Sequence, residues 1–203
     1  MYKVFFNQKP IVLTTEIISP KEDFPLFFVK FTNKKFIVQV LKSKKVKTLY
    51  LYHSKEEKLL YYFFSMFKQI EAAGGLVKKS KTNQFLFIYR NKKWDLPKGR
   101  INKNEEIENA AIREVEEETG VKNLSIIKTL NTTYHIFKKN RKYRLKKTFW
   151  YLMNTDYNGK LTPETNEGIE EAIWFDKNSI DSLKGKMYQN INLVISNYFE
   201  LHK

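Results

Sequence analysis

The spacing of hydrophobic residues changes several times along this chain, and each change marks an element. Residues 4–6 and 11–14 are two short apolar runs, read as strands around a turn at Lys9-Pro10. Residues 24–31, 35–41 and 46–52 read as further β-rich runs, separated by Asn33-Lys34 and Ser43-Lys44-Lys45. The spacing then turns helical: Leu59, Leu60, Phe63, Phe64, Phe67 and Ile70 recur at three- and four-residue intervals. Ser54 opens that helix with Glu57 as a capping-box partner, and Gly74-Gly75 ends it. Its apolar stripe is expected either to cover the rest of the chain or to join two copies as a homodimer. His53, beside the helix start, is read as a capping or surface residue rather than a ligand.

Beyond Gly75 the pattern is that of a different body. Residues 76–79 and 85–89 predict a hairpin through Lys81-Thr82-Asn83, followed by a loop at 91–100. Residues 104–119 lack internal Gly and Pro and stop at Gly120, which predicts a helix. A strand at 124–130, a second hairpin from 132–138 and 143–154, a strand at 170–175 and a closing helix at 188–202 complete the reading. The change at Gly74 predicts two parts: a small α+β extension at 1–73 and a larger domain at 74–203.

The helix at 104–119 carries the chemistry. Seven carboxylates fall between Glu105 and Glu118 against one cation, Arg113, in a chain whose net charge is +15. At about 100° per residue, Glu117 and Glu118 lie roughly −60° and +40° from Glu114. Ile107, Ala110 and Ala111 share that arc, so all three acids are predicted to face inward. Buried carboxylates are costly unless they are paired or bound to metal. The window is therefore either a solvated charged helix or a set of hard oxygen ligands for Mg²⁺ or Mn²⁺.

Spacing separates the two. Gly99, five residues, Glu105, seven residues, then REVEEETGV from Arg113 to Val121 resembles the Nudix hydrolase motif G-x5-E-x7-R-E-U-x-E-E-x-G-U, where U is aliphatic, at every fixed position. The resemblance covers residues 75–203 and implies an α/β fold: an α/β/α sandwich around a mixed sheet, with the α+β extension outside it. It also implies metal-dependent attack of water on a pyrophosphate bond in a nucleoside diphosphate linked to a second group. By matching positions, Glu114, Glu117 and Glu118 would be metal ligands together with the Gly99 carbonyl, and Arg113 and Glu105 would orient them. The general base would be a motif glutamate such as Glu117 or an acid on the later loop, where Glu167 beside Gly168 is best placed, as base or as an additional ligand.

Other side chains bear on the substrate. Lys98 and Arg100 flank Gly99 and are expected to hold phosphate oxygens. Arg144 and Lys146 share a face of a basic hairpin, as substrate contacts or as charges guarding an edge strand. Trp94, Tyr134 and Trp150 are either base-stacking residues or packing anchors. The Leu96-Pro97-Lys98-Gly99 form resembles branches acting on dinucleoside polyphosphates and inositol pyrophosphates. Dinucleoside polyphosphates are therefore placed first, with ADP-ribose, inositol pyrophosphates and RNA 5′ ends as alternatives. A non-catalytic Nudix-like regulator binding a nucleotide or nucleic acid is the reading from another class.

Composition adds three bounds. A pI near 9.7 fits a polyanionic partner, either a phosphorylated small molecule or RNA, although lysine abundance throughout is a compositional alternative. Cysteine is absent, which excludes disulfides and thiol nucleophiles and fits a reducing cytoplasm. No apolar run is long enough to span a bilayer, so no membrane partner is expected.

Overall fold

A computed structural model describes residues 2–200 of the chain. In chain order its elements are β1 (Tyr2–Phe6), β2 (Lys9–Thr14), β3 (Leu26–Phe28), α1 (Lys34–Lys42), β4 (Leu49–Tyr52), α2 (Glu56–Ser65), β5 (Lys68–Lys79), β6 (Phe85–Arg90), β7 (Lys93–Asp95), β8 (Lys98–Arg100), α3 (Ile107–Thr119), β9 (Ser125–Thr129), β10 (Thr133–Lys139), β11 (Lys142–Thr155), β12 (Ile169–Phe175), α4 (Lys177–Leu183) and α5 (Gln189–Glu200). Contacts divide the chain into a first unit, Met1–Ile70 with Tyr134–Lys146, and a second, Glu71–Thr133 with Lys147–Lys203. The hairpin at 134–146, read from sequence as part of the larger domain, thus belongs with the N-terminal segment. Among the described residues no helix is long and apolar enough to cross a membrane.

In the first unit the strands lie in the order β10-β1-β2-β4-β3. β1 pairs parallel with β10 and antiparallel with β2; β4 pairs parallel with both β2 and β3. Alternate strand residues, among them Val4, Ile11, Leu13, Leu49 and Ile136, share one core with Ile37 and Leu41 of α1 and Leu59 and Phe63 of α2. Both helices therefore cover the same face of this sheet. The stripe of α2 is spent inside the unit, which removes Leu59 and Phe63 as a means of joining two subunits.

Several local expectations are corrected here. Residues 35–41 are helical, not extended: Ile37, Val38 and Leu41 bury one helical face, and the Asn33 side chain caps the Phe36 N–H at 3.0 Å. β-branched residues suggested a strand, but burial on a helical period outweighs their propensity. The first turn sits at Asn7-Gln8, with Asn7 at φ 55°, and Pro10 lies inside β2. α2 has no side-chain cap; the Lys55 N–H donates instead to His53 Nδ1 at 3.0 Å. That helix ends at Ser65, so Ile70 and Gly74-Gly75 lie in β5, where residues 72–77 are buried throughout. Continuous burial is the mark of a strand covered on both faces.

The second unit is a three-layer sandwich. β12, β6, β5 and β11 are neighbours in that order, with β7 on β6, β8 on β5 and β9 on β11. On one face Ala73, Val77, Leu86 and Met153 pack against Ala110, Ala111 and Val115 of α3. On the other, Leu76, Phe87, Trp150 and Leu152 pack against Ile180 of α4 and Ile191, Val194 and Ile195 of α5. Successive buried residues such as Leu76 and Val77, or Leu86 and Phe87, point to opposite faces, so one sheet serves both helical layers. α4 was not foreseen; α5 matches the expected closing helix as far as Glu200, and His202 lies outside the described residues.

Candidate active site

The site is built where α3 faces the short strands after β6. Pairing of β7 with β6 sets Asp95 opposite Ile88 and Lys93 opposite Arg90. Pairing of β8 with β5 sets Gly99 opposite Ala73 and Lys98 opposite Gly74. Small residues on both surfaces, Ala73 below and Ala110 and Ala111 above, let α3 approach closely. Gly120, at φ 73°, closes the helix in the left-handed conformation. The expected start at 104 is late in fact: Asn104 has φ 63° and the helix begins at Ile107.

Two carboxylates of α3 meet the loop backbone. A Cβ at position 99 would run into the Glu114 carboxylate, so glycine is what lets that carboxylate lie against the loop backbone. The Glu118 carboxylate accepts the Lys98 N–H at 2.7 Å. Both acids are buried, Glu118 at 1% exposure, whereas Glu117 stands at the rim with an exposed side chain. The inward arc predicted for all three acids therefore holds for Glu114 and Glu118 and not for Glu117. Burial pushes Glu114 up, and the nearby charges of Glu117 and Glu167 add to that rise. Burial likewise pushes Glu118 up to about 7, against the pull of Lys98 and Arg90.

A single guanidinium organises the outer part. Arg113 grips Glu105 with two hydrogen bonds, 2.7 Å from Nε and 2.9 Å from Nη2. Its Nη1 donates to both Glu114 (2.7 Å) and Glu117 (2.8 Å), and Nη2 donates to the Arg100 carbonyl at 3.1 Å. Glu105 also accepts the Asn102 N–H at 2.8 Å. The Arg113 hydrogen bonds, with that backbone donor, hold Glu105 down to about 2, and the three acids raise Arg113. One arginine thus reaches three carboxylates, more than helical spacing alone suggested.

A second, buried network was not legible in the sequence. Asp95 accepts from Lys98 Nζ at 2.9 Å, from Arg90 Nη2 at 3.0 Å and from the Leu96 N–H at 2.8 Å. Arg90 also reaches Glu118 at 3.3 Å. Burial alone would raise Asp95, but Lys98 and Arg90 outweigh it and hold the carboxyl down to about 2. Lys98, expected at a phosphate, is instead turned inward and buried because its ammonium completes this cluster. The signal for Arg90 and Asp95 lies in strand register, which no local motif encodes.

The remaining expectations divide. Arg100 is exposed beside Gly99. The loop carrying Glu167 is fastened to the end of α3, with the Thr162 N–H on the Thr119 carbonyl (2.8 Å) and the Glu164 N–H on the Glu118 carbonyl (3.2 Å). Glu167 itself is exposed and within electrostatic range of Glu114. Arg144 and Lys146 lie in the first unit's part of β11. The three aromatic candidates are packing residues. Trp150 is buried and donates to Thr133 Oγ1 at 2.8 Å, Trp94 packs edge-on to Phe175, and Tyr134 packs on Phe64.

The donor chemistry suits a hard divalent cation: three carboxylates of one helix facing the Gly99 loop and its carbonyl, two of the acids desolvated enough that burial outweighs their cation partners. In this arrangement the side chains are drawn to Arg113, Arg90 and the Lys98 N–H rather than to each other. Among the described residues no three or more acidic or histidine side chains stand close enough to hold an ion.

The NUDIX domain family model matches residues 68–196. With more than half of its length in that match, the chain belongs to the Nudix hydrolase family and is an enzyme of the pyrophosphohydrolase type. It is 34% identical over 123 residues to an RNA pyrophosphohydrolase of Pelagibacter ubique, covering 54% of this chain and 78% of that one. Its fold is similar to the MutT protein of Methanosarcina mazei (TM-score 0.53, 19% identity, 68% of this chain and 97% of that). It is also similar to the NUDIX domain of Shewanella oneidensis NrtR, solved with ADP ribose (TM-score 0.51, 16% identity, 73% of this chain and 99% of that).

Proposed function

We propose that this enzyme hydrolyses a phosphoric anhydride at the 5′ end of RNA in the cytoplasm, using Mg²⁺ or Mn²⁺, with dinucleoside polyphosphates as a second substrate class. The observation that carries the chemistry is the convergence of two buried carboxylates, Glu114 and Glu118, on the backbone of Lys98 and Gly99. Support for RNA comes from the Pelagibacter ubique relative; support for dinucleoside polyphosphates comes from the Leu-Pro-Lys-Gly loop.

Glu114, Glu117, Glu118 and the Gly99 carbonyl would hold the cation. When bound, such an ion screens the charge of a pyrophosphate and polarises it toward attack by water. Glu114 and Glu117 now share Arg113 Nη1, a link that has to open for the pair to serve as ligands. Arg113, anchored by Glu105 and the Arg100 carbonyl, positions both acids from the side. Arg90, itself held by Asp95, reaches Glu118 and positions it. Arg100 contacts phosphate oxygens from the solvent side. Glu167, exposed on the loop fastened to the end of α3 and within electrostatic range of Glu114, takes the proton from water.

The test is a panel of 5′-triphosphate RNA, dinucleoside polyphosphates, ADP-ribose, inositol pyrophosphates and nucleoside triphosphates, each with and without Mg²⁺. Metal-dependent release of diphosphate or monophosphate from RNA ends is expected. Turnover confined to ADP-ribose, or undiminished by chelator, would overturn the assignment.

A further inference from the structure

The charge of the chain is not shared between its units. The first contains nineteen Lys and Arg against five Asp and Glu, net +14; the second contains eighteen against seventeen, net +1. Uniform lysine bias would load both, so the excess is a property of the first unit.

That unit also has a sheet face that neither of its helices covers. Because α1 and α2 pack on the face holding Val4, Ile11 and Leu49, the intervening residues point the other way. Strand register arranges them in rows. His135, Phe5 and Pro10 form one row; Lys3, Val12, Tyr50 and Leu26 a second; Thr14, Tyr52 and Phe28 a third. Phe137 continues from His135 with its ring stacked at 6.4 Å, and Lys146 Nζ lies 5.4 Å above the Phe137 ring. Arg144 falls on this side by alternation with buried Leu145. Phe5, Val12 and Thr14 are buried, so the accessible part of the face is Phe28, 52% exposed, the exposed Lys3, and the half-buried rings of Tyr50, Tyr52, His135 and Phe137.

We propose that this face of the first unit is a binding platform for single-stranded RNA. Aromatic planes standing off a sheet can stack successive unpaired bases, and interleaved cations hold the phosphates. A duplex hides its base faces and offers only backbone, so single strands are preferred. The large positive field of the unit raises the local concentration of any such polyanion. The choice of RNA rests on the reading of the active site above, whereas the platform itself rests on charge and register.

The experiment uses the full-length chain and a fluorescent single-stranded RNA with a 5′-hydroxyl, which is not hydrolysable. Anisotropy is followed over a salt series. Replacing Tyr50→Ser together with Tyr52→Ser should weaken binding about tenfold or more with little change in salt slope. Tyr50→Phe with Tyr52→Phe keeps both rings and should bind as the parent does. If the serine pair fails to fold, Lys3→Glu, an exposed change in the same row, should weaken binding several-fold. Equal binding by parent and ring-deleted protein, equal affinity for duplex, or no binding of single strands would overturn the platform. A dimer dissolved by Lys3→Glu, with no RNA bound, would give the face to a second copy instead. Hydrolysis of a small nucleotide is measured on the same proteins. RNA binding without any RNA-end turnover sinks the substrate assignment alone, and turnover with unaltered binding in the variants sinks the platform alone.

Discussion

The two units use charge in opposite ways. In the second, cations and acids are nearly equal in number, and around Gly99 they meet over short distances in buried or half-buried pairs. In the first, the pairs Lys45–Glu22 and Lys47–Asp23 are exposed, and cations outnumber acids nineteen to five. Paired charges in low-dielectric surroundings fix geometry; surplus charges facing water make a field that salt can screen. The same lysine-rich sequence thus builds a positioned site in one place and a broad attraction in another.

The sharpest way to break this contrast is to disturb the paired charges. Glu117→Gln should lower turnover by more than about a hundredfold while leaving the melting temperature near that of the parent, since its side chain is exposed. A stable mutant with full turnover would remove Glu117 from the ligand set. Asp95→Asn should cost roughly 3–5 kcal/mol of stability, because two buried cations lose their shared acceptor. Chemical denaturation measures that directly.

The acid limb follows from the same groups. Asp95, at about 2 when folded, lies below the ordinary aspartate value of 3.8. Its stabilising contribution is therefore complete above about pH 4 and is lost as pH falls toward 2. Unfolding free energy should drop across that window in the parent and be flatter there in Asp95→Asn.

Arg113→Lys should reduce turnover about tenfold or more, since an ammonium cannot span Glu105, Glu114 and Glu117 together. Glu167→Gln tests the base: a lowered kcat with a changed pH–rate profile is expected, and an unchanged profile would dismiss the role. The smallest effect is expected from raising salt. Turnover of a small nucleotide should change little, whereas affinity for RNA should fall steeply.

The motif helix was legible because its chemistry is local. Nine fixed positions lie on one helix and the short segments at its two ends, and Gly99, Glu105, Arg113 and Glu114 meet as the spacing implied. Arg90 and Asp95 were invisible because only the pairing of β6 with β7 brings them together. Lys98 was misjudged for the same reason: its neighbour in sequence is Gly99, but its partner in space is Asp95. In the first unit, Ile37 and Val38 favour a strand by propensity, and only the core beneath α1 decides otherwise. The reverse happened after Ser65, where an apolar run continued unbroken while the backbone changed from helix to β5.

The segment Tyr134–Lys146 has a practical consequence. Its strand β10 pairs with β1 through Val4, Phe5 and Phe6, although it lies between two stretches assigned to the second unit. Deleting everything before Ile70 would strip that hairpin of its parallel neighbour and leave hydrogen-bonding groups unmatched along a tyrosine- and phenylalanine-rich edge. Such a truncation should precipitate, and a clean dissection would require excising the hairpin as well and joining the flanking strand ends with a short turn.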